Sequence, residues 1–213
     1  MRAAPFLVVL LTACGARLEE GVAARPDAAV TRNPDGAVPN TPDAPPMIAD
    51  NACGVASDQG DLGMLSGTAG SQTQSSTTAQ RVSFVEAVSP LTAAQATPDV
   101  VHVELWDGYG AFTGTAAHAG TFTIAGDETD YDTCGVCVLM LADVTNNTPT
   151  KLLLATSGTV TITAVGTATG QTTEATVTNA SFVEISQQNN DWQPVVGSNC
   201  PSPIAHVELS GTL

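Results

Sequence analysis

Two segments of this chain have the same four residues, and their spacing could do chemistry. His102–Leu105 and His206–Leu209 both have the sequence His-Val-Glu-Leu. Residues i and i+2 of a β-strand share a face, so each histidine and glutamate are predicted to point outward, with valine and leucine inward. If the two strands were neighbours, imidazoles and carboxylates would converge in a set suited to zinc. The simpler interpretation, which we favour, is two half-exposed strands with polar outer faces.

A dense acidic run is the second candidate site. It contains Asp127, Glu128, Asp130 and Asp132 within six residues. Calcium takes about six to eight oxygen ligands, many of them carboxylates, so these four residues are the candidate metal ligands. The run lacks the glycine and the final glutamate of an EF-hand loop. The alternative interpretation is an acidic loop that faces water, and no cofactor other than calcium is predicted.

The first fourteen residues indicate where the protein is located. Arg2, an apolar run over residues 5–11 and small residues before Cys14 form the pattern of a secretory signal peptide. The segment Leu11-Thr12-Ala13-Cys14 resembles the lipobox of bacterial lipoproteins. The resemblance implies cleavage after residue 13 and attachment of lipid chains such as palmitate to Cys14, which would anchor the protein to a membrane. In that family an aspartate after the cysteine commonly marks inner-membrane retention, so Gly15 favours the outer membrane.

Four further cysteines are predicted to form two disulfides in an oxidising compartment: Cys53, Cys134, Cys137 and Cys200. We favour Cys134–Cys137 with Cys53–Cys200, because Gly135 allows the chain to turn between the first two. On one straight strand Cys134 and Cys137 would face opposite sides, and the alternative is then Cys53–Cys134 with Cys137–Cys200. The Cys-x-x-Cys spacing also occurs in thiol oxidoreductases, but those usually open a helix, and here a strand-like run follows.

Composition divides the chain into three parts. Residues 1–13 are the predicted signal peptide, and residues 14–50 a lipidated N-terminus and disordered tether rich in proline and aspartate. Residues 51–213 are predicted to form one domain. The net charge is −15, and Arg81 and Lys151 are the only lysine or arginine residues after Asp50. Such an acidic surface excludes nucleic acid as a partner.

The domain is predicted to be an all-β antiparallel sandwich of about 8 strands. Apolar residues alternate over Thr121–Ile124 and Thr159–Ala164, as in half-exposed strands. The run Val136–Leu141 is continuously apolar, as in a strand covered on both faces. Asn146-Asn147-Thr148-Pro149 then predicts a hairpin turn before the strand that begins at Leu152.

Two short strings recur in the same order and suggest related strand blocks. Ser83–Glu86 and Ser181–Glu184 share Ser-Phe-Val-Glu, and each precedes a His-Val-Glu-Leu string. The blocks would span residues 67–107 and 166–210. The alternative interpretation is convergent strand composition.

The sequence therefore predicts a membrane-anchored surface lipoprotein with a non-enzymatic structural or interaction role in the bacterial cell envelope. Its partners would be the membrane, through the lipid anchor, and an envelope protein or a carbohydrate. The first alternative is a calcium- or carbohydrate-binding module that uses the acidic loop with Tyr131 or the turn at Trp106–Tyr109. The second alternative is a metal-dependent hydrolase at the His-x-Glu strands.

Overall fold

The structure, a computed structural model, describes residues 54–74, 80–93, 95–198, 200 and 202–213. The predicted signal peptide, the lipid attachment site Cys14, the tether and Cys53 lie outside the described residues. The described chain contains nine strands: β1 (Gly60–Gln74), β2 (Gln80–Val88), β3 (Val100–Trp106), β4 (Gly120–Thr123), β5 (Val136–Ala142), β6 (Lys151–Ala164), β7 (Thr172–Gln188), β8 (Asp191–Pro194) and β9 (Ile204–Thr212). The all-β prediction is confirmed.

The strands form one sheet that closes on itself, and the predicted two-sheet sandwich is not confirmed. Their order is β4-β6-β5-β3-β2-β1-β9-β7-β8, and β6 also pairs with β7. That pairing makes a seven-stranded barrel, to which β4 and β8 are added. Closure depends on length, because the 14 residues of β6 pair with β5 and then β4 on one side and with β7 on the other. A closed barrel leaves no strand edge open along its ring.

Apolar side chains fill the barrel interior, as the alternating pattern predicts. Val103 and Leu105 on β3, and Val207 and Leu209 on β9, are buried in one core cluster. Phe112, from the loop after β3, is fully buried in the same cluster. The described interior is therefore a packed apolar core, and burial of this apolar surface supplies the main driving force for folding.

The hairpin turn that the sequence predicts between residues 142 and 151 is present. β5 and β6 form the predicted hairpin, with Leu141 opposite Leu152. Asn146 and Asn147 have φ angles of 49° and 63°, the left-handed region that asparagine tolerates well. Strand β5 is buried on both faces along most of its length, as its continuous apolar run predicts.

The repeated strings do not form equivalent structures. On β2, Phe84 is on the outer face of the barrel and Val85 is in the interior, whereas on β7 it is Phe182 that joins the interior cluster. The reason is a bulge at Asn179, where φ is 51° and the register of the β6–β7 pair shifts. One extra residue in a strand exchanges the faces of every residue beyond it.

Short turns complete the described chain. The segments Gly110–Phe112 and Gly126–Thr129 are 3-10 turns that flank β4. Across the described ranges, no helix is both long and apolar enough to cross a membrane. The second turn contains part of the acidic run, so its carboxylates are positioned by loop geometry rather than by a strand.

Candidate functional site

The outer face of β2 and β3 carries a row of three buried ionisable side chains. Glu86 is directly opposite His102 in the antiparallel pair, and Glu104 follows two residues along β3. His102 Nδ1 lies 2.7 Å from Glu86 Oε2, and His102 Nε2 lies 3.1 Å from Glu104 Oε1. All three residues are at most 2% exposed. We call Glu86, His102 and Glu104 the Glu-His-Glu row.

An aromatic ring packs against this row. The Phe84 ring stacks on the His102 imidazole, with centroids 5.3 Å apart and planes at 22°. The same ring lies over Gly70 of β1, where a Cβ would overlap its atoms. Glycine at position 70 therefore makes room for the ring that covers part of the imidazole.

Electrostatics favour a charged histidine within the row. Burial lowers the pKa of His102, but hydrogen bonds to Glu104 and Glu86 and the charges of both carboxylates outweigh it and raise the pKa to about 9. Burial likewise raises the pKa of Glu104, yet its hydrogen bond to His102 and the imidazolium charge lower it overall. The pair is thus an imidazolium and a carboxylate at neutral pH, and both ring N–H groups donate.

The row continues into a group of aromatic side chains. Trp106 Nε1 donates to Glu104 Oε2 at 2.8 Å, and the Tyr131 hydroxyl donates to the same oxygen at 3.1 Å. Tyr131 packs edge-on against Trp192 at 5.3 Å, and Trp106 against Tyr109 at 6.4 Å. We call these four partly exposed rings, Trp106, Tyr109, Tyr131 and Trp192, the aromatic surface.

A disulfide lies under the aromatic surface. Cys134 and Cys137 are bonded to each other, and both are fully buried in the outer cluster that Tyr131, Trp106 and Trp192 pack against. The pairing that we favoured for these two cysteines is therefore present. Cys134 precedes β5, so the two residues do not share a straight strand and can meet. Cys200 is also disulfide-bonded, and its predicted partner Cys53 lies outside the described residues.

The four carboxylates of the acidic run have separate environments. Glu128 turns inward and accepts hydrogen bonds from the backbone N–H groups of Ala111 and Val136, so it joins the loop after β3 to the start of β5. Asp130 accepts from the backbone of Asp132, while Asp127 is exposed. Within the described ranges no group of three or more His, Cys, Asp or Glu side chains could hold a metal ion. The geometry gives the calcium prediction no support.

Asp132 instead belongs to the rim of the aromatic surface. Its Oδ2 accepts a hydrogen bond from the backbone N–H of Trp192 at 2.8 Å. Burial raises its pKa, the Trp192 N–H opposes this, and the hydrogen bond and charge of Asp191 add to the rise. Carboxylates therefore border the rings on the side of β8.

The second His-x-Glu strand lies elsewhere. Strands β2 and β1 separate β3 from β9, so the two histidines do not converge and the predicted zinc set is not formed. His206 contacts Asp61 at 3.1 Å and Glu208 at 3.5 Å, with about a third of its side chain exposed. The outward prediction is correct for this strand. For His102 and Glu104 the predicted solvent exposure is wrong, because other side chains cover that part of the outer face.

Sequence reasoning missed Glu86 and Trp192 as parts of this site. In the sequence Glu86 stands out only as part of a repeated string, and nothing local shows that it lies opposite His102 on the neighbouring strand. The sequence offers Tyr131 and Trp106 as parts of two separate candidate sites, and the fold brings both side chains to Glu104. No protein-family profile, curated protein or solved structure matches this chain.

Proposed function

We propose that this chain is a lipid-anchored protein of a bacterial cell envelope whose barrel has a non-enzymatic interaction role. Leu11-Thr12-Ala13-Cys14 supports the anchor, and Gly15 supports the outer membrane. The proline- and aspartate-rich segment over residues 14–50 would hold the domain away from the lipid surface. The signal peptide, the tether and the location are all parts of this proposal.

The partly exposed rings of the aromatic surface are the main support for an interaction role. Because apolar side chains occupy the barrel interior, a partner would meet the protein on its outer faces. Tryptophan and tyrosine offer large apolar area together with a polar group, and they are enriched where proteins bind partners. Here Glu104 orients two of the rings through hydrogen bonds, and Tyr131 packs at a right angle to Trp192. A preorganised surface loses less entropy on binding.

Anchoring is tested by replacing the predicted lipid attachment site. Cys14→Ala should release the protein from the membrane fraction or block its processing, because the acceptor thiol is gone. Gly15→Asp is the matched variant, since it keeps the thiol and should move the protein toward inner-membrane fractions. Unchanged processing and partitioning of Cys14→Ala would refute the anchor.

Interaction is tested with the same soluble protein. Once released, Cys14→Ala protein should still bind, and sediment with, purified envelope material that is mixed with it in excess, and adding Trp192→Ala should weaken this binding because one ring of the aromatic surface is lost. His118→Ala is the control, since His118 is an exposed ring outside the aromatic surface. Equal sedimentation of both variants would mean that the aromatic surface is not where the partner binds.

A carbohydrate is the partner class that the rim of this surface favours. Sugar rings present C–H groups that pack on aromatic faces, and their hydroxyls donate to carboxylates such as Asp132 and Asp191. Calorimetry with a panel of envelope polysaccharide fragments on the Cys14→Ala protein would test this. We expect binding that Trp192→Ala and Asp191→Ala weaken, whereas a uniformly silent panel would leave an envelope protein as the partner. The calcium and hydrolase alternatives have no ligand set among the described residues and are not proposed.

A further inference from the structure

A pocket lies at the other end of the Glu-His-Glu row, away from the aromatic surface. It has a volume of about 450 Å³, which is within the range of small-molecule sites. Strands β1, β2 and β3 line it with the residues 64–68, 86–88 and Val100. Met64 is 73% exposed and Val88 40%, so the pocket is open to solvent and apolar at its mouth.

One buried atom of this pocket lacks a partner. Glu86 is 2% exposed and lines the pocket. Its Oε2 bonds to His102, but its Oε1 is buried and has no hydrogen-bond donor. A buried acceptor without a donor is costly, and more so when it belongs to a carboxylate. The position therefore favours a ligand that brings a donor.

The charge of the surroundings indicates which kind of donor fits. The row has two carboxylates and one imidazole, so even a protonated His102 leaves a net negative charge. The described lysine and arginine residues do not compensate it: Arg81 pairs with Asp107, and Lys151 begins β6 on the far side of β5. A cationic donor would neutralise the row and satisfy Glu86 Oε1 at once.

From the pocket and this orphaned oxygen together, we infer that the β1–β2 pocket binds a small primary ammonium ion that carries a short apolar group. The ammonium donates to Glu86 Oε1, and the apolar group packs on Met64, Val88 and Val100. Apolar walls with a few placed polar groups are typical of small-ligand sites. The site lies at the opposite end of the row from the aromatic surface and does not depend on the proposed function.

The probe is 2-phenylethylammonium, compared with its neutral analogue 2-phenylethanol. Calorimetry and amide chemical shifts on the Cys14→Ala protein should show the ammonium binding roughly tenfold more tightly than the alcohol, because a hydrogen bond to a charged group is the stronger one. The shifts should centre on residues 64–68 and 86–88. No binding, or equal affinity for both probes, would overturn the proposal.

Variants separate the charge from the apolar walls. Glu86→Gln keeps the size and should remove most of the roughly tenfold preference for the ammonium. Glu208→Gln is the matched control, because it neutralises a half-exposed glutamate on β9 and should change nothing. Should Glu86→Gln fail to fold, Met64→Ala and Val88→Ala at the exposed mouth keep the test decisive, since both probes should weaken several-fold. Unaltered affinities in folded variants would refute the site.

Discussion

The two His-Val-Glu-Leu segments have the same four residues in different surroundings, and the difference in burial is large. On both, valine and leucine point into the barrel and histidine and glutamate point out. On β3 the outer pair is almost fully buried between Glu86, Phe84 and Trp106, whereas on β9 the outer pair stays partly in water. The same four residues thus form a buried ion row in one place and a solvated pair in the other.

Neighbouring strands explain this difference. His102 lies between Glu86 of β2 and Leu139 of β5, a carboxylate and a large apolar group. His206 lies between Asp61 of β1 and Thr178 of β7, both of which are small and polar. Cross-strand neighbours therefore decide whether an outward side chain is covered, and removing one partner of a covered ion pair costs much more than removing one partner of an exposed pair.

The largest expected effect comes from the valines that point into the barrel interior on both strands. Val103→Asp and Val207→Asp would each place an unpaired charge in the interior, which should abolish folding or cost several kcal/mol. Far- and near-ultraviolet circular dichroism with urea unfolding would measure it. Val196→Asp is the control, because Val196 is 99% exposed and the substitution should be neutral. A folded, stable Val103→Asp protein would contradict the inward assignment.

Replacing each histidine should have a different effect on stability in the two strands. His102→Ala leaves the carboxylates of Glu86 and Glu104 buried without the imidazolium between them and should lower the free energy of unfolding by about 3 to 5 kcal/mol. His206→Ala removes a partly exposed imidazole and should change it by less than about 1 kcal/mol. Urea unfolding of both variants at pH 7 measures the contrast. Equal losses would mean that burial does not distinguish the strands.

The pH dependence sharpens the same contrast. The pKa of His102 is raised from 6.5 to about 9, so its stabilising contribution is complete below pH 6.5 and is lost as pH rises through about 9. The pKa of Glu104 is lowered, so its contribution is present above pH 4.5 and is lost as pH falls through the lowered value. Unfolding free energies from pH 3 to pH 10 should show both losses in the parent and in His206→Ala, but not in His102→Ala. A flat alkaline limb in the parent would disprove the charged histidine.

The smallest expected loss of stability comes from removing a hydrogen-bond donor to Glu104. Tyr131→Phe removes one hydrogen bond to a buried carboxylate and should cost about 1.5 to 3 kcal/mol. Tyr109→Phe is matched, because its hydroxyl donates to the neutral Gln80 at 2.8 Å and its loss should cost about 1 kcal/mol. Thermal melts of both variants would show whether the charged acceptor makes the difference. If Tyr109→Phe proved the more destabilising, Glu104 would not be the stronger acceptor.

Much of the local structure could be predicted because it depends on neighbours in sequence. Alternation placed Val103 and Val207 in the interior, and two asparagines marked the β5–β6 hairpin. The bond between Cys134 and Cys137 was the favoured of two pairings, because a glycine between them lets the chain turn. The equivalence of the Ser-Phe-Val-Glu strings was not a safe inference, since one bulge at Asn179 reverses the faces of the second copy.

By itself, the sequence determined which side of each strand is apolar, because the two-residue period of a strand is a local property of the backbone. It also determined the all-β class and the acidic surface. Only the tertiary structure decided that the sheet closes through β6 and β7, that Glu86 lies opposite His102, and that Trp192 reaches Tyr131. The physical reason is that strand order and register join residues far apart in the chain, and the fate of an outward side chain depends on which of them become its neighbours.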